Sequence, residues 1–171
     1  DSTNAMTIGA DGDITATSTG AVTIGGSKAG LLTTSGDVTT AGGTITFDND
    51  TTLGGDVLVS TGNLVAGNIV FSELLDGTHA LGLDAGTGAV TFTGAVGSGS
   101  STELGAITIS KATGGVTASS TIEAASVSIT DGGAVDLNGA VTTTGAFSSA
   151  GTSFDNTGGS ITTTNSAITI D

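Results

Sequence analysis

The 171-residue chain contains no cysteine, no proline, no tryptophan and no tyrosine, and each absence excludes something. Without cysteine there is no disulfide framework. Without proline every residue keeps its N–H donor, so no position interrupts hydrogen bonding between neighbouring strands. Five phenylalanines are the only aromatics, which suits a narrow core. Basic residues are nearly missing: Lys28 and Lys111 stand against sixteen acidic side chains, a formal net charge of −14. That field repels phosphate backbones and anionic membrane surfaces, which argues against nucleic acid and lipid headgroups as partners. No apolar run approaches the ~18 residues of a membrane span, so membrane insertion is not expected. The chain opens at Asp1 without a basic and then apolar leader, which reads as a mature or excised piece of something larger.

What is present is glycine (30 residues) with Val, Ile, Leu, Ala, Thr and Ser. Glycine- and serine-rich, low-complexity sequence can be a flexible linker. Disorder, however, goes with low hydrophobicity and dense charge, whereas here 36% of residues are hydrophobic and only 11% charged. The apolar residues are also regularly placed. They recur as pairs at i and i+2: Val22/Ile24, Ile45/Phe47, Val57/Val59, Ile69/Phe71, Leu81/Leu83, Val90/Phe92, Ile107/Ile109, Val127/Ile129, Val135/Leu137 and Ile168/Ile170. Period two is the strand signature, because successive side chains point to opposite faces. The residue between is often polar, as at Thr23, Thr46, Thr91, Thr108, Ser128, Asp136 and Thr169. β-Branched residues dominate, and no stretch has a 3.6-residue period. The expected class is all-β, with strands of four or five residues separated by Gly, Asn, Asp and Ser turns.

Three segments share one frame: GGTITFDND from Gly42, GTGAVTFTGAV from Gly86 and GGAVDLNGAV from Gly132. Gly43, Gly88 and Gly133 lie 45 residues apart in turn. A coil of three short strands and three tight turns takes roughly 20–23 residues. Two such coils approximate the interval, so the chain returns to one side of a triangular solenoid every second turn. The expectation is one parallel β-solenoid domain over residues 1–171, of roughly eight coils and roughly 35–40 Å, with small aliphatics stacked in inward columns. A β-sandwich of equally short strands is the rival.

The frame Gly-x-Val/Ile-Thr/Asp-Phe/Leu, with TLGGDVLVSTGN (52–63) and HALGLDAGTGAVTFTGAV (79–96), resembles the repeat regions of filamentous haemagglutinin-type adhesins. The likeness runs from about Ala21 to the end. It implies a right-handed parallel β-helix in a long secreted surface protein of Gram-negative bacteria, exported by two-partner secretion, with binding carried by other domains. The secretion domain of that family is not recognisable here.

Residues that would carry chemistry are few. His79 is the only histidine, and catalysis or metal binding by it needs partners that the sequence lacks. No G-x-S-x-G elbow occurs. The closest carboxylates, Asp11/Asp13 and Asp48/Asp50 with Asp56 nearby, would suit Ca²⁺ through oxygen ligands, but they match neither an EF-hand loop nor the calcium-solenoid repeat. They read as turn residues. Asn49-Asp50-Thr51 fits the glycosylation triplet. Thr-x-Thr pairs occur at Thr15/Thr17, Thr17/Thr19, Thr44/Thr46, Thr91/Thr93, Thr142/Thr144 and Thr162/Thr164; a ladder of them on one flat face would order water or meet a glycan. No catalytic, cofactor or metal residue is therefore assigned and no enzyme activity is expected. The expected role is a structural shaft or fibre-forming segment of an extracellular bacterial surface protein; the alternative is an ice- or glycan-binding face. Neither end carries a polar or helical cap. The expected partners are therefore a further copy stacked head to tail, or flanking repeats of a longer chain.

Overall fold

The computed structural model describes residues 5–26, 30–98 and 102–171. Short alternating segments have become strands wherever the apolar pairs occur, and glycine or a small polar residue sits at most corners. The first coil is β1 (Met6–Ile8), β2 (Ile14–Ala16) and β3 (Val22–Ile24), one strand on each of three sides. β4 (Leu32–Thr34), β5 (Val38–Thr40) and β6 (Ile45–Phe47) lie on them, followed by β7 (Thr51–Leu53), β8 (Val57–Ser60) and β9 (Ile69–Phe71). The fourth coil is β10 (Leu75–Gly77), β11 (Leu81–Gly86) and β12 (Ala89–Phe92). The fifth meets the first side only through a bridge at Val96, then forms β13 (Leu104–Ala112) and β14 (Gly115–Ala118). In the sixth, β15 (Ile122–Ile129) spans the first and second sides before β16 (Ala134–Leu137). β17 (Val141–Thr143), β18 (Phe147–Ser149) and β19 (Ser153–Asp155) make the seventh, and β20 (Ile161–Thr163) and β21 (Ile168–Ile170) lie on its first two sides.

Every strand pairing is parallel and joins one coil to the next, and no helix occurs among the described residues. This is a parallel β-solenoid with three strands per coil and about seven full turns. Seven interlayer steps of ~4.8 Å give a stack about 34 Å long.

Ile45, Val90 and Val135 do share one side and one inward column. Ile45 pairs with Ile69, Ile69 with Val90, Val90 with Val116, and Val116 with Val135. The coils are unequal, however. The steps are 24 and 21 residues in the first interval and 26 and 19 in the second. The 45-residue period belongs to pairs of coils and not to a single repeat. Most strands have three residues, shorter than their alternation suggested, while β13 and β15 have nine and eight. Around the corner in LGAITISKA and IEAASVSI there is no turn cluster, so the backbone rounds the first corner without losing its pairing.

The interior is a set of vertical columns. On the third side Ile24, Phe47, Phe71, Phe92, Ala118 and Leu137 stack in register, and all six are buried. Phe47, Phe71 and Phe92 stack in parallel, with centroids 4.6 and 5.4 Å apart. Each fully buried side chain of this size contributes ~1.5–3 kcal/mol relative to exposure. The recurring glycines mark where coils touch backbone to backbone. A Cβ at Gly43 would strike the carbonyl oxygen of Gly20, one at Gly88 that of Gly67, and one at Gly133 that of Thr113. That contact is why the frame returns with glycine in the same place.

Candidate functional site

Several aspartates of the side surface have structural tasks. Aspartates at the corners accept hydrogen bonds from backbone N–H groups one coil further along: Asp13 Oδ1 from Asp37 (2.9 Å), Asp37 Oδ1 from Leu58 (2.8 Å), Asp56 Oδ1 from Ala80 (2.9 Å) and Asp76 Oδ1 from Ser98 (3.1 Å). Asn68 does the same for Ala89. Sequence reasoning saw turn carboxylates but not this coil-to-coil role; the clue available was their spacing of one coil, as in Asp13/Asp37. Of the acidic pairs weighed for Ca²⁺, Asp48 accepts from the Ser72 hydroxyl and Asp50 from the Leu74 N–H. No group of three or more His, Cys, Asp or Glu residues among the described residues is placed to share a metal ion.

His79 is partly exposed, with Nδ1 3.7 Å from Asp56 Oδ1. Lys111 is half-buried and in register with Asp84 of the preceding coil; Lys28 lies outside the described residues. Asn49 of the glycosylation triplet is also half-buried, its Nδ2 donating to Gly30 O at 2.9 Å. Gly25, at φ 105°, leaves the room this side chain needs, since a Cβ there would overlap Asn49 Oδ1.

The threonines divide in two, a distinction that alternation by itself did not reveal. Thr34, Thr40, Thr51, Thr61 and Thr143 are buried. Their hydroxyls donate to the carbonyl oxygens of Gly36, Gly43, Asn49, Gly67 and Gly145 at the adjoining corners. Each supplies a corner carbonyl with a hydrogen-bond donor; a buried carbonyl without one costs about 1–3 kcal/mol. Outward threonines form only broken columns. On the third side the order is Thr23, Thr46, Val70, Thr91, Thr117, Asp136. On the first, Thr7, Thr33 and Thr52 are followed by Asp76. The residues beside Thr46 and Thr91, namely Thr44 and Ala89, do not continue a pair from coil to coil.

The ends are different. β1, β2 and β3 each pair only with the coil after them, and β19, β20 and β21 only with the coil before. On their other edges they have no strand partner among the described residues, and several of their inward residues are exposed or only partly covered, while Ile8 and Ile24 of the first layer are buried. Met6 is 45% exposed, Ile168 47% and Ile170 48%, while the chemically similar Leu32, Leu75 and Phe147 inside the stack are at 1% or less. Ile14, Val22, Phe154 and Ile161 are only partly covered. The six end strands read MTI, ITA, VTI, SFD, ITT and ITI, with Asp155 their single charge. Solvent-facing sheet edges are ordinarily blunted by lysine, proline or charge; these are not. The terminal layers are the surfaces of this molecule best shaped for an interaction.

Compared with known proteins, the chain matches no protein-family model, no curated protein and no solved structure.

Proposed function

We propose that the chain is a structural shaft or fibre-forming segment of a secreted bacterial cell-surface adhesin or filament, non-catalytic, whose end layers are covered by further β layers. The observation that carries this reading is the state of the six end strands: uncharged but for Asp155, largely apolar on the inward side and, among the described residues, paired along one edge alone. A solenoid is built so that each layer is completed by the next. The interior in between is a continuous buried core that runs through every coil, as a rigid spacer requires. The resemblance of its frame to haemagglutinin-type repeats supports the same role and an extracellular setting. The breaks at Val70, Asp76 and Asp136 in the outward threonine columns are the reason we place the ice- or glycan-binding face second.

The test is imaging together with surface labelling. Antibody raised against the chain should label intact, unpermeabilised cells of the source organism, and the labelled structures should be thin rods or fibres. Label confined to the cell interior, or a compact globular particle as its carrier, would overturn the proposal.

A further inference from the structure

The geometry points to a site of self-modification at the corner between β16 and β17: Asn138 loses its side-chain amide to the backbone nitrogen of Gly139 and becomes aspartate and isoaspartate, with no enzyme taking part. The chemistry is intramolecular. The Gly139 nitrogen gives up its proton to solvent base and attacks Asn138 Cγ. The new N–Cγ bond closes a succinimide ring, and the Cγ–Nδ2 bond breaks with release of ammonia. Water then opens the ring. Cleavage of the N–Cγ bond leaves aspartate. Cleavage between that nitrogen and the main-chain carbonyl carbon of Asn138 leaves isoaspartate, whose main chain runs through Cβ and Cγ. In total one water is consumed and one ammonia released, and nothing is oxidised or reduced.

Glycine in the second place favours this ring, because no Cβ crowds the attack. The sequence offers it at Asn138-Gly139 and, with loss of water in place of ammonia, at Asp11-Gly12, Asp76-Gly77 and Asp131-Gly132. The fold separates these pairs. The Gly12 N–H donates to Gly9 O (2.8 Å), that of Gly77 to Thr102 O (3.3 Å) and that of Gly132 to Ala150 O (3.0 Å). Asp76 is tied as well, its Oδ1 accepting from the Ser98 N–H. A nitrogen held in this way must surrender its hydrogen bond before it can turn on the side chain. At Gly139 the N–H has no acceptor among the described residues. Asn138 is exposed, and its side-chain amide has no hydrogen-bond partner among the described residues. By contrast Asn68 Oδ1 accepts from Ala89 and Asn49 Nδ2 donates to Gly30. Asn165 is exposed too, but its neighbour Ser166 carries a Cβ. The Asn138 main chain is meanwhile anchored, its N–H donating to Ala118 O at 2.8 Å. Only at this corner are both reacting groups unengaged on a fixed frame.

The corner also lies where two coils meet backbone to backbone. A Cβ at Gly158 would strike Asn138 O, and one at Gly159 would strike Gly139 O. Aspartate here only adds to a formal charge of −14. Isoaspartate lengthens the main chain at a point with no spare room, so the segment leading into β20 has to shift. Ageing of the protein therefore loosens one coil-to-coil contact.

The test incubates the folded chain at mildly alkaline pH and follows it by peptide mass mapping, with isoaspartate measured by its enzymatic methylation. Conversion at Asn138 should be on the order of tenfold faster than at any other asparagine or at the three Asp-Gly pairs. Isoelectric focusing should show a matching acidic species that Asn138→Gln abolishes. That variant should unfold at the parent's midpoint before incubation; afterwards the parent should melt lower and the variant should be unchanged. An Asn138 that stays intact in the folded chain while it reacts in the urea-unfolded chain would overturn the proposal, as would faster conversion at any Asp-Gly pair. A parent whose midpoint holds after conversion would overturn the loosening of the corner.

Discussion

Phe71 lies on Phe47 with ring centroids 4.6 Å apart and planes 5° from parallel, and Phe92 lies on Phe71 at 5.4 Å. Phe71 is thus the middle ring of three and packs on an aromatic face on both sides. Phe71→Ala should destabilise by about 3–5 kcal/mol through lost burial and the cavity left between its neighbours. Phe92→Ala, with an aromatic neighbour on one side and Ala118 in register on the other, should cost somewhat less. Chemical denaturation of the two variants checks the order; equal costs would count against the stacked column as a distinct source of stability.

Alternation along β7 separates two adjacent threonines. Thr51 is 1% exposed and donates to Asn49 O at 2.9 Å, while Thr52 faces outward. Thr51→Val keeps the shape but removes the hydroxyl's hydrogen bond to the corner carbonyl of Asn49, and should cost about 1 kcal/mol. Thr52→Val should change stability by less than about 0.5 kcal/mol. Thermal unfolding of both variants is the measurement, and a reversed order would show the strand facing the other way.

The aspartate bridges between coils predict an asymmetry at the one His–Asp pair. Asp56 accepts from Ala80 N–H and also stands 3.7 Å from His79. Asp56→Ala should cost about 0.5–1.5 kcal/mol, and Asp56→Asn, which keeps an oxygen acceptor, appreciably less. His79→Ala loses only an exposed pair and should stay within about 0.5 kcal/mol of the parent. Denaturation midpoints in which His79→Ala is the most damaging of the three would assign His79 a role that its surroundings do not explain.

Two glycines test the corner contacts. Gly88→Ala places a methyl against the Gly67 backbone, which can yield only if the coils separate locally, at about 1–3 kcal/mol. Gly9→Ala meets nothing within 4 Å and should be neutral to within about 0.5 kcal/mol. A circular dichroism melt of each variant decides the matter, and similar melts would mean that the coil corners are not close-packed.

Much of this architecture is written in the local order of residues. Pairs such as Val22/Ile24 and Val90/Phe92 need only the period of an extended chain to become strands with one inward face, and a glycine every second coil reports where backbone meets backbone. Class, parallel stacking, three strands per coil and the shared column of Ile45, Val90 and Val135 follow from that periodicity. What the tertiary structure decided is everything that depends on which residue lies over which. Coil lengths of 24, 21, 26 and 19 residues cannot be read from a frame that repeats only at 45, because the intervening coils have different turns and pair by register alone. Whether a threonine is a surface ladder member or a buried corner donor depends on which corner it faces. The same holds for Asp13 and Asp37: their sequence spacing becomes a hydrogen bond only once one coil is laid upon the next.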